Sequence, residues 1–314
     1  MTAVARYSAR TDTGKKRRRN EDAFVLAPPL FAVADGMGGA QAGEIASSLA
    51  AAALKERGDD DGGGEERVAE LIQEANRRVH QRALDDEAAS GMGTTMTVAL
   101  FEPAGSVAIG HVGDSRAYLL RDGKLDQLTD DHSLVAELVR RGELSPEEAE
   151  VHPQRSVITR ALGTDPDVDV DTFTVQAHEN DVFLICSDGL TTMVDVGTIT
   201  SIVESGRHDL VGAARALVKE ANERGGDDNI TVVLFEIAEG EPDDETRELA
   251  AIESPDEDTL HPEPGGGGGS ADGDTSIVSV EDIRSALEAE RGNAAAAEET
   301  EETPRASLVQ YTLA

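Results

Sequence analysis

The pattern of apolar and polar positions divides the chain near residue 240. Before this point, short apolar runs rich in β-branched residues alternate with segments of helical period. The predicted strands are Ala23–Leu26, Leu30–Ala34, Thr95–Phe101, Val107–His111, Arg116–Leu120, Asp181–Cys186 and Ile230–Ile237. The predicted helices are Gln41–Arg57, Glu65–Leu84, His132–Arg141 and Asp209–Arg224.

Several predicted strands follow one another through short turns. Arg121-Asp122-Gly123-Lys124 has the composition of a hairpin turn, and Asp59–Gly64 is an acidic, glycine-rich loop between two helices. Strands joined in this way form antiparallel sheets, which bury one face under helices. The pattern therefore predicts an α+β fold and argues against a parallel, doubly wound sheet.

The amino-acid composition of the chain changes after Ile237. Glu241–Pro264 is rich in Asp, Glu and Pro, and Gly265–Ser270 has the composition of a flexible linker. We expect a globular domain over residues 1–240 and a largely disordered tail over 241–314. A short helical pattern at Val280–Glu290 leaves a second interpretation open, in which a helix of the tail docks or regulates.

Charge restricts the possible partners. The chain contains 28 Lys and Arg against 63 Asp and Glu, a net charge of −35, so nucleic acid is an unfavourable partner. A salt-rich cytoplasm is one hypothesis for this acidity. With the single cysteine Cys186, no disulfide forms within the chain, and no apolar run reaches membrane-spanning length. We expect a cytoplasmic monomer.

Aspartates stand at the ends of the apolar strands. Asp35-Gly36, Asp188-Gly189 and Asp227-Asp228-Asn229 are three such turns, and Gly113-Asp114-Ser115 joins two further strands. Each turn alone is an ordinary turn signal. Together they suggest converging carboxylates, whose mutual repulsion a divalent cation relieves. Oxygen ligands of this kind suit Mg²⁺ or Mn²⁺ better than zinc.

A basic run precedes the first of these turns. Arg17-Arg18-Arg19-Asn20-Glu21-Asp22 opens a strand in an otherwise acidic protein. Such a run is often a solvated surface. Beside a metal site, however, an arginine can grip a phosphate dianion through two parallel hydrogen bonds.

These motifs together resemble the metal-dependent, type 2C family of serine/threonine protein phosphatases in its bacterial and archaeal form. The series runs from about Arg6 to Ile237: Arg-x-x-x-Glu-Asp, Asp-Gly-Met-Gly-Gly, Gly-Thr-Thr, Gly-Asp-Ser-Arg, Asp-Gly-Leu and Asp-Asn-Ile-Thr. The resemblance implies a four-layer α-β-β-α sandwich of two antiparallel sheets flanked by helices. It also implies phosphorylated proteins as substrates, and serine/threonine kinases are reasonable candidates among them.

The resemblance implies a role for each motif residue. Arg17 would bind the substrate phosphate. Two divalent metals, Mg or Mn, would be held by Asp35, the Gly36 carbonyl, Asp188, Asp228 and, through water, Asp22. Asp114 would help Asp188 to hold a third, weaker ion. Gly93-Thr94-Thr95 would be structural, and His132–Arg160 would form a flap beside the site.

The expected mechanism follows from the chemistry of metals. Two ions about 3.5–4 Å apart lower the pKa of a bridging water, and the hydroxide attacks phosphorus in line without a phosphoenzyme intermediate. Animal members of the family carry a histidine directly after Asp-Gly as a proposed general acid. This chain has Met37 there, which leaves the proton donor unassigned. His152 in the flap is one candidate, although a surface histidine is the simpler interpretation.

Four alternative interpretations compete with this hypothesis. Cys186 lacks the arginine that cysteine-dependent phosphatases require six positions later, where Thr192 stands, and fits a small core residue. Asp165–Asp171 lacks the glycine and glutamate of a calcium loop and fits an exposed loop and strand. A binuclear hydrolase of small phosphoesters and a catalytically silent relative that only binds phosphoproteins remain as rivals.

Overall fold

The computed structural model describes residues 2–38, 42–58, 62–86, 89–239 and, by backbone alone, 276–277. Two sheets form its centre, and every strand pair within them is antiparallel. In spatial order, the first sheet contains β1 (Thr2–Asp12), β12 (Ile230–Glu239), β11 (Val182–Cys186), β7 (Arg116–Arg121) and β8 (Lys124–Gln127). The second contains β10 (Asp171–Gln176), β6 (Ser106–Val112), β5 (Met96–Glu102), β3 (Leu30–Met37) and β2 (Asp22–Ala27), with β4 (Gly93–Thr94) paired to β3.

Helices cover the outer face of each sheet. On the second sheet lie α1 (Ala42–Arg57) and α2 (Gly64–Asp85), and on the first lie α5 (Asp188–Thr191), α6 (Val196–Ser205) and α7 (Leu210–Glu223). The flap contains α3 (Leu134–Arg140), α4 (Pro146–Glu150) and β9 (Val157–Ile158), and β9 pairs in parallel with β13 (Ser276–Ile277). The predicted α-β-β-α sandwich is confirmed. None of the described helices combines the length and the apolar run that crossing a bilayer requires.

Three apolar layers hold the sandwich together. One lies between each sheet and its helices, and the third lies between the sheets. In the middle layer Phe235 stacks on Phe31 and on Phe183, with ring centroids 4.3 and 4.8 Å apart. Apolar burial of this kind contributes about 25 cal/mol for each Å² removed from water, and the stack of Phe31 on Phe235 is one of the contacts that join the two sheets.

Most predicted elements are present within a few residues of their expected bounds. The hairpin at Arg121–Lys124 is also confirmed, since Asp122 and Gly123 both have the positive φ that a tight two-residue turn needs. The patterns missed β1, β8, β10 and α6, and also the shorter elements β4, β9, α4 and α5. The first three are partly exposed and rich in polar residues, and α6 is rich in β-branched residues that favour strands.

Some expectations lie outside the described residues. One is the tail with its predicted helix at 280–290, of which only the backbone of Ser276–Ile277 is described. The other is the first half of the Asp59–Gly64 loop. Asp165–Asp171 is an exposed loop that leads into β10, as predicted.

Candidate active site

The topology brings the predicted aspartates to one end of the sandwich. In the second sheet Asp22, at the start of β2, is the direct partner of Asp35 near the end of β3. In the first sheet Asp188 follows the end of β11, and Asp228 precedes the start of its antiparallel neighbour β12. Asp114 lies on the connection that crosses from β6 in one sheet to β7 in the other. Five carboxylates from distant parts of the chain therefore face one another.

The electrostatics of the cluster are unfavourable without a cation. Burial, followed by repulsion from the neighbouring carboxylates, raises the pKa of Asp35 and of Asp188 well above the ordinary value. Burial also raises the pKa of Asp22 to about 6 and that of Asp114 to about 7. Asp114 is only 8% exposed, whereas Asp22, Asp35 and Asp188 are still partly reached by solvent.

Two oxygen atoms of this cluster are left without a partner. Oδ1 of Asp22 and Oδ1 of Asp188 are buried and take part in no hydrogen bond among the described residues. A buried, unsatisfied carboxylate oxygen is costly, and a hard cation is the partner that matches its chemistry. The donor set thus fits divalent ions that prefer oxygen ligands.

The carboxylates do not form a closed, all-protein cage. Among the described residues, no three His, Cys, Asp or Glu side chains are arranged around one point as ligands of a single ion.

Arg17 lies beside the carboxylates. Its Nη2 donates to Oδ2 of Asp228 at 2.9 Å. Partial burial lowers the pKa of Arg17, but Asp228, Asp35 and Glu21 together outweigh this effect, and the pKa is raised. A permanent cation is therefore fixed at the edge of the cluster, where the sequence predicted a phosphate ligand.

Hydroxyl and amide side chains hold the aspartates in place. Oγ of Ser187 donates to Oδ2 of Asp22 at 2.8 Å and accepts from the Thr231 amide. Oγ1 of Thr95 accepts from the Asp35 amide at 3.0 Å, and Oγ1 of Thr94 donates to the Asp35 carbonyl at 2.8 Å. The Gly-Thr-Thr motif is thus structural, as predicted. The role of Ser187 was missed, although its place directly before Asp188 was a signal.

Asn229 links the two sheets at the site. Its Oδ1 accepts from the Glu21 amide at 2.8 Å, and its Nδ2 donates to the carbonyls of Thr13 and Arg19. The Asp-Asn motif therefore fixes the loop that carries Arg17. The sequence analysis assigned no role to Asn229.

Two glycines permit the close backbone approaches of the site. A Cβ at Gly36 would lie 2.1 Å from the Gly43 carbonyl oxygen, and one at Gly189 would lie 2.0 Å from the Asn229 carbonyl oxygen. No side chain fits at either position. The glycine after each aspartate is therefore a packing requirement, and the predicted metal contact of the Gly36 carbonyl stays a prediction.

Met37 packs under the flap. It is 4% exposed and forms a small buried cluster with Ile158 and Ala161. At the position where animal members carry a histidine, this chain thus has an apolar anchor for the flap. His152 caps a flap turn, where its Nδ1 accepts from the Gln154 amide at 3.2 Å.

The cysteine hypothesis finds no support. Cys186 is completely buried in the core of the first sheet, and burial raises the pKa of its thiol to about 12. A thiolate nucleophile does not form under these conditions. Cys186 is a small core residue, as expected.

Comparison with known proteins agrees with this geometry. The family model described as protein phosphatase 2C matches residues 15–223. The chain belongs to the protein phosphatase 2C family. A serine/threonine phosphatase, Stp of Listeria welshimeri, is 42% identical over 238 residues, which cover 72% of this chain and 94% of that protein.

Solved structures of the family show the same fold. The serine/threonine phosphatase PstP/Ppp of Mycobacterium tuberculosis superposes with a TM-score of 0.70 at 40% identity, over 74% of this chain and 98% of that one. The catalytic domain of PstP in complex with two manganese ions superposes with a TM-score of 0.68 at 37% identity, over 76% and 100% of the two chains. The predicted family and its enzyme class, protein serine/threonine phosphatase, are confirmed.

Proposed function

We propose that this phosphatase removes phosphate from phosphoserine and phosphothreonine in proteins by a single attack of water, without a phosphoenzyme intermediate. The observation that carries the proposal is the cluster of five mutually repelling aspartates beside Arg17, with two buried carboxylate oxygens unpartnered. The catalytic domain would comprise residues 1–240, with 241–314 as a tail. A cytoplasmic location, a monomeric state and kinases as substrates stay predictions.

The aspartates would hold two divalent ions. Asp35, the Gly36 carbonyl, Asp188 and Asp228 would be the ligands, with Asp22 acting through water and Asp114 joining Asp188 at a third, weaker ion. The two manganese ions of the PstP catalytic domain support this number, and both Mg²⁺ and Mn²⁺ suit the oxygen ligands. When bound, the ions supply a water that ionises near neutral pH and positive charge that offsets the phosphate oxygens.

The chain's own groups bind and orient the substrate. Arg17 keeps its charge at any working pH, and its planar guanidinium can take two phosphate oxygens at once. Ser187 and Thr95 fix Asp22 and Asp35, so that little reorganisation is needed during the reaction. Met37 has no proton to give the leaving oxygen, so this proton comes from water or from another group.

A direct assay tests the proposal. The full chain should hydrolyse p-nitrophenyl phosphate and a phosphothreonine peptide with Mn²⁺, and should lose both activities in EDTA. Hydrolysis of nucleotide or sugar phosphates in preference to phosphopeptides would favour the rival hydrolase. No activity with any metal or salt would favour a silent binding protein.

A substitution tests the metal assignment. Asp35→Asn removes one charge from the centre of the cluster and should abolish most turnover. Asp126→Asn is the matched control, because Asp126 is exposed and pairs with Lys124 on the β7–β8 hairpin. Near-wild-type turnover of Asp35→Asn in saturating Mn²⁺ would refute the assignment.

A further inference from the structure

Besides Arg17, the basic run places other cations on the surface beside the predicted active site. Lys15–Arg19 supplies five of the cations in a 240-residue region with 24 Lys and Arg against 43 Asp and Glu. Lys15, Lys16, Arg18 and Arg19 are exposed. Within the described residues, Lys15 and Arg18 form no ion pair, so their charges are available to a ligand.

The backbone of this segment is fixed against the metal-site loop. The amides of Lys15 and Lys16 donate to the Gly226 carbonyl at 2.7 and 3.2 Å. At the other end of the segment, Nδ2 of Asn229 donates to the Arg19 carbonyl at 2.8 Å. The cationic side chains therefore start from a rigid base, and less conformational entropy is lost when they bind a ligand.

A groove continues from Arg19 along the first helix. It has a volume of about 500 Å³ and is lined by Arg19, Glu44, Ile45, Ser48 and Leu49. It lies near the predicted site, since Gly43, next to the lining residue Glu44, is packed so tightly on Gly36 that a Cβ there would lie 2.8 Å from the Gly36 carbonyl carbon. Arg19, which lines the groove, is two residues from Arg17, so a peptide chain whose phosphorylated residue sits beside Arg17 can extend toward this groove.

The ion pair between Arg19 and Glu44 in the groove is weak. Nη1 of Arg19 and Oε2 of Glu44 are 3.7 Å apart, and about half of each side chain is exposed. Exposed pairs of this kind contribute little, so an acidic ligand can compete with Glu44 for Arg19. In a domain that otherwise repels acidic peptides, Arg18 and Arg19 offer a local attraction.

We propose that Arg18, Arg19 and the adjoining groove on α1 form a subsite that selects phosphopeptides with Asp or Glu next to the phosphorylated residue. This inference rests on the proposed phosphatase function and specifies its substrate class. Each exposed charge pair changes affinity by about two- to threefold, so two such pairs together give a preference of about four- to tenfold.

The test compares matched phosphothreonine peptides on the full chain with Mn²⁺. The peptides differ only in two flanking residues, which are Asp/Glu in one and Asn/Gln in the other. We expect a kcat/KM ratio of about four to ten in favour of the acidic peptide in 0.1 M KCl, falling in 2 M KCl where charges are screened. The ratio cancels any change at the metal centre.

Two variants should move this ratio in opposite directions. Arg18→Ser/Arg19→Ser should lower it to near one. Glu44→Gln, which removes a competing charge from the groove, should raise it about two- to threefold. Lys124→Ser/Lys219→Ser is the control, because it removes the same charge from lysines that are 76% and 71% exposed on other elements. It should leave the ratio unchanged.

The outcomes separate this proposal from the proposed function. Equal hydrolysis of both peptides, or a ratio that none of these variants alters, overturns the subsite and leaves the phosphatase intact. The chain's own acidic residues 241–264 are the alternative occupant of the surface around Arg18 and Arg19. In that case the wild type hydrolyses both peptides at the same rate, and Arg18→Ser/Arg19→Ser hydrolyses both faster. This result also overturns the proposed subsite. Hydrolysis of p-nitrophenyl phosphate without hydrolysis of any phosphopeptide refutes the protein phosphatase and this inference together.

Discussion

Asp114 provides a quantitative test of the cost of burying an ionised carboxylate in the cluster. Burial, with a contribution from Asp131, raises its pKa from 3.8 to about 7 in the metal-free protein. A shift of about 3 units corresponds to about 4 kcal/mol, at 1.36 kcal/mol per unit. At pH 8 the folded, metal-free protein therefore bears this cost for the ionised carboxylate, and the unfolded chain does not.

Asp114→Asn removes the charge and keeps the shape. Because the buried amide must also be desolvated, we expect a net gain of about 2 kcal/mol in the free energy of unfolding at pH 8. For a domain of this size, that gain corresponds to about 4–8 °C in Tm. The variant should thus be more stable than the wild type in EDTA, although it loses a predicted ligand of the third ion.

The pH dependence gives the sign of the effect. The pKa of Asp114 is higher in the folded than in the unfolded state, so the folded wild type binds more protons between pH 4 and 7, and it loses stability as the pH rises through about 7. The advantage of Asp114→Asn should therefore be large at pH 8 and small at pH 5.

The assay is thermal unfolding in EDTA at both pH values, with Asp126→Asn as an exposed control that should leave Tm nearly unchanged. Saturating Mn²⁺ should then stabilise the wild type more than Asp114→Asn. A variant that is less stable than the wild type at pH 8, or a difference that does not depend on pH, would refute the reasoning.

Three further predictions concern other parts of the molecule. Arg17→Lys keeps the charge but loses the bidentate hydrogen bonding to phosphate, so kcat/KM for a phosphopeptide should fall at least about tenfold. Unchanged steady-state kinetics would contradict the proposed phosphate-binding role of Arg17. Phe235→Ala removes the ring that stacks on Phe31 and on Phe183, and should lower the free energy of unfolding in urea by about 3–5 kcal/mol. A decrease below about 1 kcal/mol would contradict the packing described. If the acidity reflects a salt-rich cytoplasm, unfolding should occur at a higher urea concentration in molar KCl than in low salt. Equal midpoint urea concentrations in the two conditions would refute the hypothesis.

Local sequence was sufficient to predict the family and most of the helices and strands. The aspartate turns, Arg17 and the periodicity of α1, α2 and α7 depend on neighbouring residues, and both the elements and the family were predicted from them. Elements whose stability comes from distant partners were missed. β1 pairs with β12 more than two hundred residues later, and its mixed pattern of Arg, Thr and Ser has no local strand signal.

The sequence by itself determined which groups are available: the aspartate carboxylates, an arginine at Arg17, an apolar residue at Met37 and a cysteine at Cys186. Only the tertiary structure decided how these groups act on one another. Antiparallel pairing places the end of one strand beside the start of its neighbour within each sheet, and the packing of the two sheets brings their carboxylates together at one end of the sandwich. Their raised pKa values, the unpartnered oxygens of Asp22 and Asp188, and the groove beside Arg19 arise there, because burial and electrostatic repulsion depend on distance in space.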